Sequence, residues 1–296
     1  HAFTDHWVAQ EYLPTSLRGR IFWQPGEHGW EGAVKPDVER RRELQLARVL
    51  DGARGFATEE AFLQRTLGEE EQVFEHVRKR LFELAGNLRD KLILVLEADS
   101  GFLFWEALRQ TGHAGVHAAV RKGASIPLLR SRIPTQLPSE SWWLHEGLPP
   151  PSSGSRFDLV LGMDVLPGLE GALPALLNPQ AQVLFAQRIP RESQRLGALL
   201  SCPEPAEAAL VSLAEEALYE HSDQPRFRLR SSELKVQLQR AGLANASMEL
   251  VELTTRRTFT ARELSRWFPE PGSSPWLTAL ERLGGSAKAQ ALAARL

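Results

Sequence analysis

Cysteine is almost missing from these 296 residues: Cys202 is the only one. One thiol excludes a disulfide framework and any multi-cysteine metal centre, and it fits a reducing, cytoplasmic compartment. Lysine is scarce as well, so the positive charge is mostly arginine, and a net charge of −2 leaves no large cationic surplus. Nucleic-acid backbones are gripped by clustered positive charge, so any dealing with DNA is expected to be indirect. No apolar run reaches the ~18 residues that a membrane-spanning helix needs, so no membrane partner is expected. No secretory leader pattern follows His1. The chain starts on ordinary interior sequence, and a fragment of a longer protein is expected.

What is present is a chain of ordinary apolar (43%) and charged (24%) content, with the length for one large domain or two small ones. Four regions separate by pattern. Residues 1–50 pass from aromatic and turn-rich sequence into a charged helix that is expected to start near Pro36 and Asp37. Residues 51–89 repeat apolar positions at helical spacing (Phe62, Leu67, Phe74, Val77, Leu81), with Thr58 as a capped start. Residues 90–262 alternate strand and helix patterns, and residues 263–296 read as a helical tail.

The third region sets the fold class. Leu92–Leu96 is a continuous apolar run, the pattern of a strand buried on both faces. A turn at 97–101 leads into a helix with Phe104, Trp105 and Leu108 inward. Strands are expected at Gly115–Arg121, Phe157–Gly162 and Ala181–Gln187, with a helical stretch at Leu169–Leu177 and one or two more strands in Ala246–Thr260. This alternation predicts an α/β fold: a doubly wound, mostly parallel Rossmann-like sheet, preceded by an N-terminal helical segment.

Ligands of such sheets bind outside the carboxyl ends of the strands, so the first turn is the place to look for chemistry. It reads Val95-Leu96-Glu97-Ala98-Asp99-Ser100-Gly101, followed by Phe102-Leu103-Phe104-Trp105. Here the chain resembles the class I S-adenosylmethionine-dependent methyltransferases. Their first motif is an acidic residue at the strand end and a turn with three alternating glycines. In one register Gly101 is the last glycine, Glu97 and Asp99 stand in place of the other two, and Val95 takes the acidic position. In the other, Glu97 is the strand-end acid, and Asp99 and Leu103 replace glycines. The resemblance implies S-adenosylmethionine over Glu97, Ala98, Asp99 and Gly101, with adenine near Met163 and Asp164. It also implies a ribose-binding carboxylate after the second strand, where this chain has Arg121-Lys122, a cationic pair better suited to phosphate. A carboxylate in a glycine position fills the space the cofactor needs and repels the methionine carboxylate. A degraded site is therefore expected; if the site works, Gly101→Val is expected to abolish ligand binding with little loss of fold, and if the domain is structural, to affect only local packing. The competing reading is a helix start capped by Asp99 and Ser100 with no ligand at all.

No residue declares itself catalytic. The Asn/Asp-Pro-Pro-aromatic motif of base amino methylation is absent, and so is a Pro-Cys nucleophile, because Cys202 precedes its proline. His113 and His117 have the spacing of two ligands on a helix, but Gly112 and Gly115 break any helix there. A surface pair and no metal site are expected. Trp142-Trp143 reads as part of a polar loop, lacking the interleaved basic residues of a base-stacking platform.

The first 45 residues carry a second resemblance. Tyr12-Leu13-Pro14-Thr15-Ser16-Leu17-Arg18-Gly19-Arg20, then Phe22-Trp23-Gln24-Pro25 and Gly29-Trp30-Glu31, are similar to the C-terminal end of a replication-associated recombination protein A. That family is an AAA+ ATPase related to clamp loaders, and some cyanobacterial versions carry a methyltransferase-like extension. The resemblance implies DNA replication and recombination at stalled forks, an AAA+ portion of the same parent protein as partner, and a homo-oligomer formed through the N-terminal segment. No Gly-x4-Gly-Lys-Ser/Thr loop occurs, so ATP hydrolysis is not an activity of this chain itself.

Overall fold

The structure is a computed structural model, and it describes residues 23–52, 71–111, 115–131, 133, 137–151, 154–169, 171–199, 204–243, 245–254 and 275–293. Thr58, His113, Cys202 and the stretch 255–274 lie outside these residues, as does the whole Tyr12–Arg20 motif.

The chain divides into two compact units. The first contains α1 (Gly29–Gly52), α2 (Glu71–Ala85) and five strands: β1 (Ile93–Leu96), β2 (Val116–Val120), β3 (Trp142–Glu146), β4 (Phe157–Met163) and β5 (Leu177–Ala186). Between strands stand α3 (Phe102–Gln110) and α4 (Ile126–Ser131). All strand pairings are parallel and the order is β3-β2-β1-β4-β5. This is the doubly wound order, with the winding reversing between β1 and β4. The sheet is Rossmann-like, as the strand and helix alternation predicts.

The central strands form because both of their faces are covered. Ile93, Leu94 and Val95 are at most 1% exposed, and Phe157, Leu159, Val160 and Leu161 are fully buried. One apolar cluster joins these strands to Phe74, Leu81 and Phe82 of α2 and to Phe102–Leu108 of α3. Asp158 clamps the start of the central pair by accepting the Leu92 N–H at 2.9 Å.

The structure departs from several expectations. The charged helix begins at Gly29 and runs through Pro36. Its register places Pro36 a turn and more inside, at the loss of one N–H bond. Leu169–Leu177 holds a tight 3-10 turn at Leu173–Leu176 instead of a helix, and β5 starts earlier than its apolar core, at Leu177. Among the described residues, 245–254 form no strand, and Met248 and Leu250 are exposed.

Trp142-Trp143 belongs to β3, an edge strand, rather than to a loop. Gly115 makes room for it, since a Cβ there would stand 2.1 Å from the Trp143 ring. His117 is correspondingly not at the surface. It is 5% exposed, stacks on Trp143 at 4.4 Å and meets Phe157 edge-on. Its Nδ1 lies 2.9 Å from Nε2 of His145, one imidazole donating and the other accepting.

Burial, with the His145 ring beside it, pushes His117 down from 6.5 to about 4, and burial also lowers His145. The unfolded chain therefore binds protons more readily than the folded one below 6.5. Stability is expected to be complete above that pH and to fall as the pH drops towards 4, by about 1–2 kcal/mol after solvent screening. Urea unfolding at several pH values checks this, and a His117→Phe variant should flatten the profile. An equal acid loss in that variant would place the sensitivity elsewhere.

The second unit contains residues 164–174 and the described chain from 187 onward. Its helices are α5 (Pro205–His221), α6 (Pro225–Arg228), α7 (Ser231–Arg240), α8 (Pro275–Gly284) and α9 (Ser286–Ala293). They pack on Leu196, Val211, Tyr219, Phe227, Trp276 and Leu280. A Glu207 carboxylate returns to the Glu204 N–H and closes the capping box that starts α5. No described helix is long and apolar enough to cross a membrane.

Candidate functional site at the carboxyl ends of β1 and β2

The chain leaves β1 through two left-handed residues. Glu97 has φ 53° and ψ 39°, and Gly101 has φ 73° and ψ −9°. Between them Ala98–Ser100 make one 3-10 turn, closed by the Gly101 N–H donating to the Ala98 carbonyl at 2.8 Å. This sharp turn aims α3 back across the sheet. A left-handed backbone is natural for glycine and uncommon for glutamate.

Gly101 is needed for more than its φ. A Cβ there would lie 2.4 Å from Cη2 and 2.5 Å from Cζ2 of Trp105, one turn along α3. The indole itself takes the space that the missing side chain leaves. The expectation that Gly101→Val would spare the fold is overturned by this contact.

Asp99 ties the turn to the loop after β2. One carboxylate oxygen accepts the Arg121 N–H at 2.9 Å, and the other accepts the Lys122 N–H at 3.2 Å and the Ser125 hydroxyl at 2.8 Å. Glu97 forms an ion pair with the Arg121 guanidinium. The next N–H, of Gly123, donates to Glu146 at the end of β3 at 3.1 Å. Three successive backbone donors at the strand end are thus bound by the chain's own carboxylates. Asp99 makes no cap hydrogen bond to the start of its own helix, contrary to the capping reading; its carboxylate ties the turn to the loop after β2 instead.

Ala98 is buried in the first unit's apolar cluster, and Met163, the last residue of β4, packs against that cluster half-buried. Asp164 falls in the second unit, with φ 55°. There its carboxylate accepts the Arg188 N–H at 2.9 Å and the Arg188 Nε at 2.7 Å, with Gln187 beside it. The structure therefore gathers Glu97, Asp99 and Arg121 into one network and gives Asp164 a separate partner. The parts that the sequence did not disclose are Ser125, Glu146 and Trp105, each joined to the turn or to the β2 end by the fold. Among the described residues no group of three His, Cys, Asp or Glu side chains is placed to hold a metal ion.

No protein-family model and no curated protein matches this chain. Among solved structures, it is similar to the glycopeptide N-methyltransferase MtfA complexed with (S)-adenosyl-L-methionine, at TM-score 0.32 and 21% identity over 42% of this chain and 58% of that one. It is similar to the precorrin-6y C5,15-methyltransferase from Geobacter metallireducens at TM-score 0.31 and 17% identity, over 39% and 62% of the two chains. YjhP from E. coli aligns over 83% of this chain and 88% of its own, at TM-score 0.39 and 12% identity. The chain spans less than two thirds of the length of the two methyltransferases.

Proposed function

We propose that this chain carries a class I methyltransferase-like domain whose strand-end site does not hold S-adenosylmethionine, and that the domain serves as a non-catalytic interaction module. One observation supports it above the others: the backbone donors of Arg121, Lys122 and Gly123 are taken by Asp99 and Glu146. A cofactor's ribose and methionine groups would have to displace these internal acceptors and approach two carboxylates, Glu97 and Asp99, in a turn where glycine would admit them. Trp105 filling the recess at Gly101 points the same way. The residues present do not fit the cofactor, so no methyl-transfer step is derived.

The partner in this reading is the AAA+ portion of the same parent protein, in the cytoplasm, on the strength of the Tyr12–Arg20 and Phe22–Glu31 sequence. Contact with DNA is through that partner, and residues 1–50 supply any self-association.

Calorimetric titration with S-adenosylmethionine and S-adenosylhomocysteine tests the site. No saturable heat is expected up to ~1 mM ligand, a level at which even a binding energy of about −4 kcal/mol would register. Micromolar binding would overturn the reading and reinstate an enzyme. The partner is tested apart from the site, by sedimentation of the chain mixed with the ATPase portion. The two are expected to migrate together, and independent migration would remove the assembly role.

A further inference from the structure

The two edges of the sheet are built differently. β5, at one edge, holds Pro179, and its ladder to β4 shifts register, so its outer side is poorly suited to a further strand. β3, at the other edge, reads Trp142-Trp143-Leu144-His145-Glu146, and its register with β2 is unbroken from Val116–Trp142 to Val120–Glu146. Apart from Glu146 at its end, it has none of the charges, prolines or bulges that blunt an edge strand.

The direction of its backbone groups is fixed by one bond. The Gly147 N–H donates to the Val120 carbonyl at 2.8 Å, so residue 147 faces β2. Successive residues of a strand point their backbone groups to alternate sides. Trp143 and His145 therefore bond to β2, whereas the N–H and C=O groups of Trp142, Leu144 and Glu146 point away from the sheet. β3 is the last strand on that side, so among the described residues no further strand meets them. Such a row is a template for a strand from another chain. Trp143, 38% exposed, adds apolar surface on the same face as His145.

The pattern fits a second copy of β3, running antiparallel and centred on Leu144. Leu144 then stands opposite the partner's Leu144, and Trp142 opposite the partner's Glu146. These are the residues whose backbone groups face outward, so each pair can exchange both N–H···O=C bonds. A slip of one residue would set outward groups against inward ones, and the register centred on Leu144 is the one that pairs the whole strand. The closer, non-hydrogen-bonded positions bring Trp143 to the partner's His145, twice by symmetry. The carboxylate of Glu146 lies opposite the partner's Trp142, so no like charges meet. A twofold contact uses the same edge on both chains, and the β5 edge does not extend it further. We propose that the β3 edge joins two copies of this chain into one continuous sheet across a twofold axis.

Sedimentation equilibrium of the full chain, with amide hydrogen exchange at two concentrations, tests this. A dimer with a micromolar dissociation constant is expected. The amides of Trp142, Leu144 and Glu146 should exchange at least about tenfold more slowly at ~200 μM chain than at ~2 μM, while those of Trp143 and His145 stay protected at both. Leu144→Pro removes an outward N–H that makes no bond to β2, and Trp143→Lys puts on the edge the charge it lacks. Each should weaken dimerisation about tenfold or more. Outward amides whose exchange ignores concentration would overturn the proposal, and so would a dimer that both variants retain. The contact is distinct from self-association through residues 1–50, because a dimer formed there would leave the β3 amides unchanged. Binding of S-adenosylmethionine is read by its own titration, so neither result bears on the strand-end site.

Discussion

Gly101→Val is expected to unfold the first unit at markedly lower denaturant, with a loss of about 3 kcal/mol or more. Two separate costs combine. A β-branched residue at φ 73° is strained by its own backbone. Its Cβ would also arrive 2.4 Å from the Trp105 ring, which is 2% exposed and has no free volume to retreat into. Trp105 cannot yield without disturbing Phe102, Phe104 and Leu108, the residues that seat α3 on the sheet. Gly101→Ala separates the two costs poorly, since it meets both. Gly101→Val combined with Trp105→Ala separates them better, because only the backbone strain of the valine then remains. If Gly101→Val alone left the urea midpoint unchanged, the account of this turn as a packed corner would be wrong. The recess at Gly101 would then be open to a ligand after all.

The same corner shows how far the sequence could be read. The strand before it is legible because burial on both faces leaves an uninterrupted apolar run, and β2 and β4 are apolar apart from His117 and Asp158. β3 escaped because Trp142–Glu146 is an edge strand whose residues are half-buried or exposed and never fully buried. Its polar positions look like loop until His117 and His145 are seen to be hydrogen-bonded across neighbouring strands. β5 runs further than its apolar stretch because it is the other edge, and Asn178 and Pro179 fall where its ladder to β4 shifts register. The turn Glu97–Gly101 could be located from local pattern alone. Its wiring could not, since Asp99 reaches residues 22 to 26 positions away, and Asp164 finds Arg188 at a separation of 24. Spacing within a motif says which loop to examine. Only the packed sheet decides whether a carboxylate there faces a ligand or the next loop.

The second large effect is expected at Arg109, whose guanidinium joins α1 to α3. It donates to both oxygens of Glu43, at 2.6 and 2.7 Å, and to Glu106 at 2.8 Å. Burial raises the Glu43 carboxyl above its ordinary range, against the pull of Arg109. For Glu106 burial pushes the same way, but its bonds from Arg109 and Gln110 prevail and its carboxyl is lowered. Arg109→Met strips Glu43 of the bidentate partner while leaving it buried, and a loss of about 3–5 kcal/mol is expected at neutral pH. The sign of its pH dependence follows. A carboxyl with a folded pKa above its unfolded value of 4.5 gives most stability when protonated and loses it as the pH rises through the folded pKa. Removing Arg109 raises that folded pKa further. The deficit of the variant should therefore be greatest near neutrality and should shrink as the pH falls towards 4.5. Arg109→Met with Glu43→Leu should recover much of the loss, because a buried pair replaced by apolar groups leaves no charge uncompensated. Denaturant titrations of the single and double variants at two pH values decide it. A deficit that is equal in both variants and indifferent to pH would mean that Arg109 acts by packing alone, and that the charge on Glu43 does not matter to the joint between these helices.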